Sequence, residues 1–226
     1  MTVSIIGDSI STYSGYNPSG YAVYYDNETR KKNGIETVNQ TWWAKVIKYL
    51  NAELCVNNSY SGSKVTGTTF PSATSKERIN GLCNSTIIPS LILIYIGLND
   101  YGYGVKLERR FTEKLKKPDL NVFSDAYDYM ISEIKHRYPD SKIVCGTLMR
   151  TQIKNYHDWV FPEFCFDNSF EEFNNVIRKT SHKQKCLLAD LSALDMRYET
   201  LDGTHPTVVG HELISKAWVN CFTETF

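Results

Sequence analysis

The run Leu91-Ile92-Leu93-Ile94-Tyr95-Ile96 is apolar at every position and stops at Gly97. A strand with one wet face alternates apolar and polar residues, so a continuous run predicts a strand covered on both faces. Strands of that kind belong to parallel sheets, whose crossover connections lay helices on each side. Shorter runs at 3–6, 53–57, 142–146 and 187–190 read as four more strands. Between them apolar residues recur at helical spacing. Trp43, Val46, Ile47 and Leu50 form one stripe, capped by Thr41, and Tyr127, Met130, Ile131, Ile134 and Tyr138 another, capped by Ser124. Phe173, Val176, Ile177 and Thr180 form a third; Leu213, Ile214, Ala217, Trp218 and Cys221 a fourth. A shorter helix fits residues 75–83. This alternation predicts an α/β fold: a three-layer α/β/α sandwich around a five-stranded parallel sheet, in the flavodoxin-like strand order 2-1-3-4-5. A chain of 226 residues with no repeat or linker suits one domain over residues 1–226.

Three stretches are too long to be plain connectors: 11–41, 101–122 and 147–168. The first holds Tyr13, Tyr16, Tyr21, Tyr24 and Tyr25. The second is partly basic, with Arg109, Arg110, Lys114, Lys116 and Lys117, and reads as a solvated surface.

Open parallel sheets bind ligands beyond the carboxyl ends of their strands. Gly7-Asp8-Ser9 follows the first strand there, and a small-residue loop ending Ser61-Gly62-Ser63 follows the second. Gly97-Leu98-Asn99-Asp100 follows the third, and Asp202-Gly203-Thr204-His205-Pro206 follows the fifth. Alone, each is an ordinary turn. Together they bring a serine, a backbone amide, a carboxamide, a carboxylate and an imidazole to one edge, the parts acyl transfer through serine requires. A serine hydroxyl needs a base, which His205 can be, and Asp202 can hold the imidazole tautomer. An oxyanion needs preorganised donors, and the amides of Ser9 and Gly62 and the side chain of Asn99 can supply them. His136, His157, His182 and His211 are rivals for the base, His211 the nearest.

The four blocks, in this order, resemble those of the SGNH-hydrolase superfamily, the GDSL esterases and lipases. The resemblance implies that Ser9, Gly62, Asn99 and His205 are the defining residues and that Asp202 completes a catalytic triad. It implies a serine esterase that uses no metal and no cofactor. One departure is visible: the second block reads Asn57-Asn58-Ser59-Tyr60-Ser61-Gly62 where glycine-rich sequence is usual. No Gly-x-Ser-x-Gly occurs, which argues against the α/β-hydrolase nucleophile elbow.

The expected substrate is a small-molecule ester, with a short acyl group, acetyl above all, on a carbohydrate or similarly polar alcohol. Aromatic side chains in the long stretches would wall the site, with Tyr13, Trp42 and Trp159 as substrate-binding candidates. The alternatives are an acyltransferase, a lipid or lysophospholipid esterase on the same site, and a non-catalytic flavodoxin-like binding module. Glycine-rich phosphate loops and a Walker lysine are absent, which weighs against the binding module. A formal net charge of zero offers no basic excess for nucleic acid or an anionic membrane. Six cysteines show neither Cys-x-x-Cys nor zinc-ligand spacing. Cys55, Cys145 and Cys186 read as buried thiols. With no secretory signal ahead of the first strand, the expected location is the cytoplasm.

Overall fold

The computed structural model describes residues 1–109 and 117–225. The chain runs β1 (Thr2–Gly7), α1 (Thr29–Lys32), α2 (Trp42–Tyr49), β2 (Glu53–Ser59), α3 (Lys76–Asn80), β3 (Leu91–Tyr95), α4 (Leu98–Gly102) and α5 (Phe123–Arg137). It continues through β4 (Lys142–Gly146), β5 (Arg150–Ile153), β6 (Phe164–Cys165), β7 (Asn168–Ser169), α6 (Phe170–Lys183), β8 (Leu187–Ala189), β9 (Arg197–Thr200) and α7 (Val208–Thr225). Five of these strands form one parallel sheet in the order β2-β1-β3-β4-β8, the expected arrangement.

Every residue of β3 is buried, as its unbroken apolar run requires. Alternate side chains feed two cores. Val3, Ile5, Leu91, Leu93 and Tyr95 pack with Trp42, Trp43, Val46, Ile214 and Trp218 of α2 and α7. Ile6, Ile92 and Ile94 pack on the other face with Phe123, Tyr127, Ile131, Phe173 and Ile177 of α5 and α6. The pairing register levels the strand ends where the site lies. Gly7 stands opposite Ser59 on one side and Tyr95 on the other. The segments that follow β1, β2 and β3 therefore leave the sheet together.

Several boundaries differ from expectation. β2 runs on through Asn58 and Ser59, because their buried side chains find partners or packing at the sheet's carboxyl end. Asn58 Oδ1, for example, accepts from Arg78 Nε at 2.9 Å. Helix α5 starts one position before Ser124, which is inside the helix and not its cap; Val122 precedes the first turn. Helix α3 is shorter than residues 75–83, with Ser75 capping it through the Arg78 amide at 3.3 Å. Of the basic residues between 101 and 122, Arg109 pairs with Asp125 at 2.5 Å, while Arg110, Lys114 and Lys116 lie outside the described residues. All six cysteines are free thiols; Cys145 is buried, but Cys55 and Cys186 are only partly so. Among the described residues no helix is long and apolar enough to cross a membrane.

The least expected element is the parallel pair β5 and β9, joined from Arg150↔Arg197 to Ile153↔Thr200. It inserts a strand between β8 and the Asp202 turn, which therefore does not follow the fifth sheet strand directly.

Candidate active site

Ser9 opens a short 3-10 turn, Ser9–Ser11, immediately beyond β1. Asp8 caps it, its Oδ1 accepting the Ile10 amide at 3.0 Å. Gly7 is needed there because a Cβ would lie 2.7 Å from Ser11 Oγ and 2.9 Å from Ser59 Oγ. Ser9 is 5% exposed.

The Asp202 turn is built by β9. Thr200 Oγ1 accepts the Gly203 amide at 3.0 Å, and Thr151 Oγ1 donates to the Gly203 carbonyl at 2.8 Å. The bridge between Thr200 and Pro206 closes the loop. Asp202 Oδ1 accepts the amides of Thr204 and His205 at 2.9 and 2.8 Å. Its Oδ2 stands 2.7 Å from His205 Nδ1, and His205 Nε2 stands 2.9 Å from Ser9 Oγ. A carboxylate only accepts, so Nδ1 carries the proton and Nε2 presents its lone pair to the serine hydroxyl. Burial pushes Asp202 up, but hydrogen bonds from His205 outweigh it and hold this carboxyl well below the usual range.

The loop after β2 meets the helix after β3. Asn99 Nδ2 donates to the Ser63 carbonyl at 2.9 Å. The two oxygens of the buried Asp100 accept the amides of Val65 and Thr66 at 2.7 and 3.0 Å. Burial raises its pKa despite those bonds. Gly62, at φ +78°, lies at the exposed tip of this loop. Its conformation is one that residues with a side chain adopt only under strain. Among the described residues the Gly62 amide donates no backbone hydrogen bond. Asn99 retains a second amide hydrogen that the Ser63 carbonyl does not use.

An open cleft of about 410 Å³ adjoins Asn99 and the Asp202 turn. Asn99 and Leu98 line one side, Asp202, Gly203 and Thr204 another, and Tyr101, Tyr103, Trp159 and Phe161 the walls. The structure thus brings Ser9, Asp202 and His205 into hydrogen-bonding contact and sets Trp159 at the cleft. Trp42 and Tyr13 are corrections. Trp42 is fully buried, stacked on Trp218 at 5.3 Å, and cannot touch a substrate. Tyr13 is 7% exposed and packs with Tyr16 on the α2 side of the sheet. His211 is buried as well; its Nδ1 accepts the Trp42 amide at 3.2 Å.

A family model described as GDSL-like Lipase/Acylhydrolase matches residues 1–193. The chain belongs to that family. Candidate GDSL-like lipases of known structure share the fold over nearly their whole length. One from Bacteroides ovatus is 28% identical, covers 100% of this chain and 98% of its own, and superposes at a TM-score of 0.74. One from Bacteroides uniformis is 26% identical, with 99% and 95% coverage and a TM-score of 0.71. A variant of an acetyl xylan esterase from Geobacillus stearothermophilus has the same fold at 19% identity, with 97% and 93% coverage and a TM-score of 0.57. No curated protein matches the sequence. The stretch matched by the GDSL-like model contains Ser9, Gly62 and Asn99 and ends before Asp202 and His205.

Residue types and spacing did not reveal two other parts of this GDSL-like site. Arg78 is buried beneath it, donating through Nη2 to the carbonyls of Gly7 and Asn58 at 2.8 and 3.0 Å. Tyr24 covers His205, their ring centroids 3.4 Å apart. Neither carries a motif, and each acts on partners distant in the chain.

Proposed function

We propose that the protein is a serine esterase that cleaves short acyl esters, acetyl foremost, of a carbohydrate or similarly polar alcohol without a metal ion. The observation that carries this reading is the continuous hydrogen-bonded line from Asp202 through His205 to Ser9 Oγ. His205 Nε2 takes the serine proton as Oγ bonds to the ester carbonyl carbon. The carbonyl oxygen becomes an oxyanion facing the amides of Ser9 and Gly62 and the free hydrogen of Asn99 Nδ2. The imidazolium formed is held by Asp202 and returns its proton to the alkoxide as the carbon–oxygen bond breaks, so the alcohol leaves neutral. Water then adds to the acyl-enzyme, giving its proton to His205, and the acid departs as Ser9 Oγ is reprotonated.

The cleft supports the substrate class. Flat rings with polar tips, as at Tyr103 and Trp159, suit a sugar face and its hydroxyls. The test compares kcat/KM for acetate, butyrate and octanoate esters and measures acetate released from acetylated sugars. Acetate esters should be turned over best, with no turnover in Ser9→Ala. Preference for octanoate without release from any sugar would move the assignment to a lipid esterase.

A further inference from the structure

Tyr24 lies in the long stretch after Ser9, to which the motifs assign no role. Its ring lies flat on the His205 imidazole, centroids 3.4 Å apart and planes within 7°. Its hydroxyl donates to Asp202 Oδ2 at 3.1 Å, the oxygen that also faces His205 Nδ1 at 2.7 Å. We infer that Tyr24 is a positioning residue of the esterase site, fixing the plane of His205 and setting how strongly Asp202 holds it. This rests on the serine-esterase reading above.

The surroundings hold Tyr24 in that place. Thr12 Oγ1 accepts the Tyr24 amide at 2.9 Å and donates to the Ser9 carbonyl at 2.9 Å. Thr29 Oγ1 donates to the Tyr24 carbonyl. Next in the chain, Tyr25 packs edge-on against Tyr24 at 4.9 Å and donates its hydroxyl to the Pro206 carbonyl at 2.8 Å. The pair of tyrosines therefore straps the turn carrying Ser9 to the turn carrying His205. Asp202 accepts from Thr204 N, His205 N, His205 Nδ1 and Tyr24 OH, which fills the roughly four sites a carboxylate offers. A carboxylate so filled cannot swing away from the imidazole.

The two contacts act on the imidazole in opposite senses. The tyrosine ring face favours the imidazolium. The hydroxyl shares the Asp202 charge and so weakens its pull on that imidazolium. Burial and the nearby Asp202 charge push Tyr24 up to about 12, so it stays a donor throughout the working range. The buried Asp8 also interacts electrostatically with His205. Tyr25 is neutral, and Asp26 is fully exposed beyond Tyr24.

Tyr24→Phe keeps the stack and removes only the hydroxyl. Asp202 then bears its charge undivided against the imidazolium. The acid limb of kcat/KM should move up by about half to one pH unit and kcat should fall about three- to tenfold. KM should change little, since both Tyr24 contacts fall on His205 and Asp202. Tyr24→Leu removes both contacts and should lower kcat about a hundredfold, with Tyr24→Phe recovering most of the loss. Rates are referred to the folded fraction, and Ser9→Ala is measured alongside. An unchanged acid limb and kcat in Tyr24→Phe overturns the inference, as does a Tyr24→Leu loss confined to KM. Full activity in Ser9→Ala overturns the esterase reading instead. An inactive Ser9→Ala beside an unaffected Tyr24→Phe removes Tyr24 alone.

Discussion

His205 and His211 stand near the C-terminus in opposite surroundings. His205 sits between a carboxylate and a serine hydroxyl, so its two ring nitrogens have distinct tasks. His211 is enclosed, and burial holds it far below the ordinary imidazole value of 6.5, at about 3. It is neutral at working pH, and its Nδ1 is taken up by the Trp42 amide. Sequence spacing left both in contention; burial separates them. Asn99 is similarly legible as a residue type and illegible in detail. One of its amide hydrogens goes to Ser63, so its partner group is the loop that carries Gly62. Asn99→Ala should lower kcat by about 10²–10³-fold with little change in KM, the usual loss for one oxyanion donor. Steady-state kinetics on an acetate ester decide this. A raised KM with kcat intact would assign Asn99 to substrate binding.

At the scale of elements, His211 joins two helices. Its Nδ1 accepts the amide of Trp42, the first residue of α2, from a place in α7. The same joint explains why Trp42 is no rim residue: its indole stacks between the helices on Trp218 and donates to Ser11 Oγ at 3.2 Å. The helical stripe from Trp43 to Leu50 predicted α2 but not that its preceding residue would be buried against another helix. Acid should loosen this joint. The unfolded chain takes up a proton near 6.5 while the folded protein does so near 3, so stability is full above pH 6.5 and falls toward pH 3. Asp8, raised to about 6 by burial, acts in the opposite sense over part of that window. The comparison that isolates His211 is therefore wild type against His211→Asn, which keeps an acceptor without the titration. Urea unfolding should show wild type losing about 2–3 kcal/mol more than the variant between about pH 6.5 and 4.5. Equal losses would place the acid sensitivity elsewhere.

For the whole molecule, legibility follows the range of the interaction. The sheet order and the four blocks at its carboxyl edge were readable because apolar runs and turn residues are local signals. The β5 and β9 pair was not, since Arg150 and Arg197 begin strands that carry little apolar pattern and pair across a long stretch of chain. Nor was Arg78, whose guanidinium ties the ends of β1 and β2 through carbonyls, groups every sequence contains. Tyr24 was visible only as one of several tyrosines. All of this architecture serves to hold Ser9, from the first strand, against His205, from the last turn. Labelling with a serine-directed fluorophosphonate, followed by peptide mass spectrometry, tests that arrangement most directly. One adduct per chain on Ser9 is expected, lost in Ser9→Ala and formed far more slowly in His205→Ala. An adduct on another residue, or labelling of Ser9 at an undiminished rate without His205, would contradict the account.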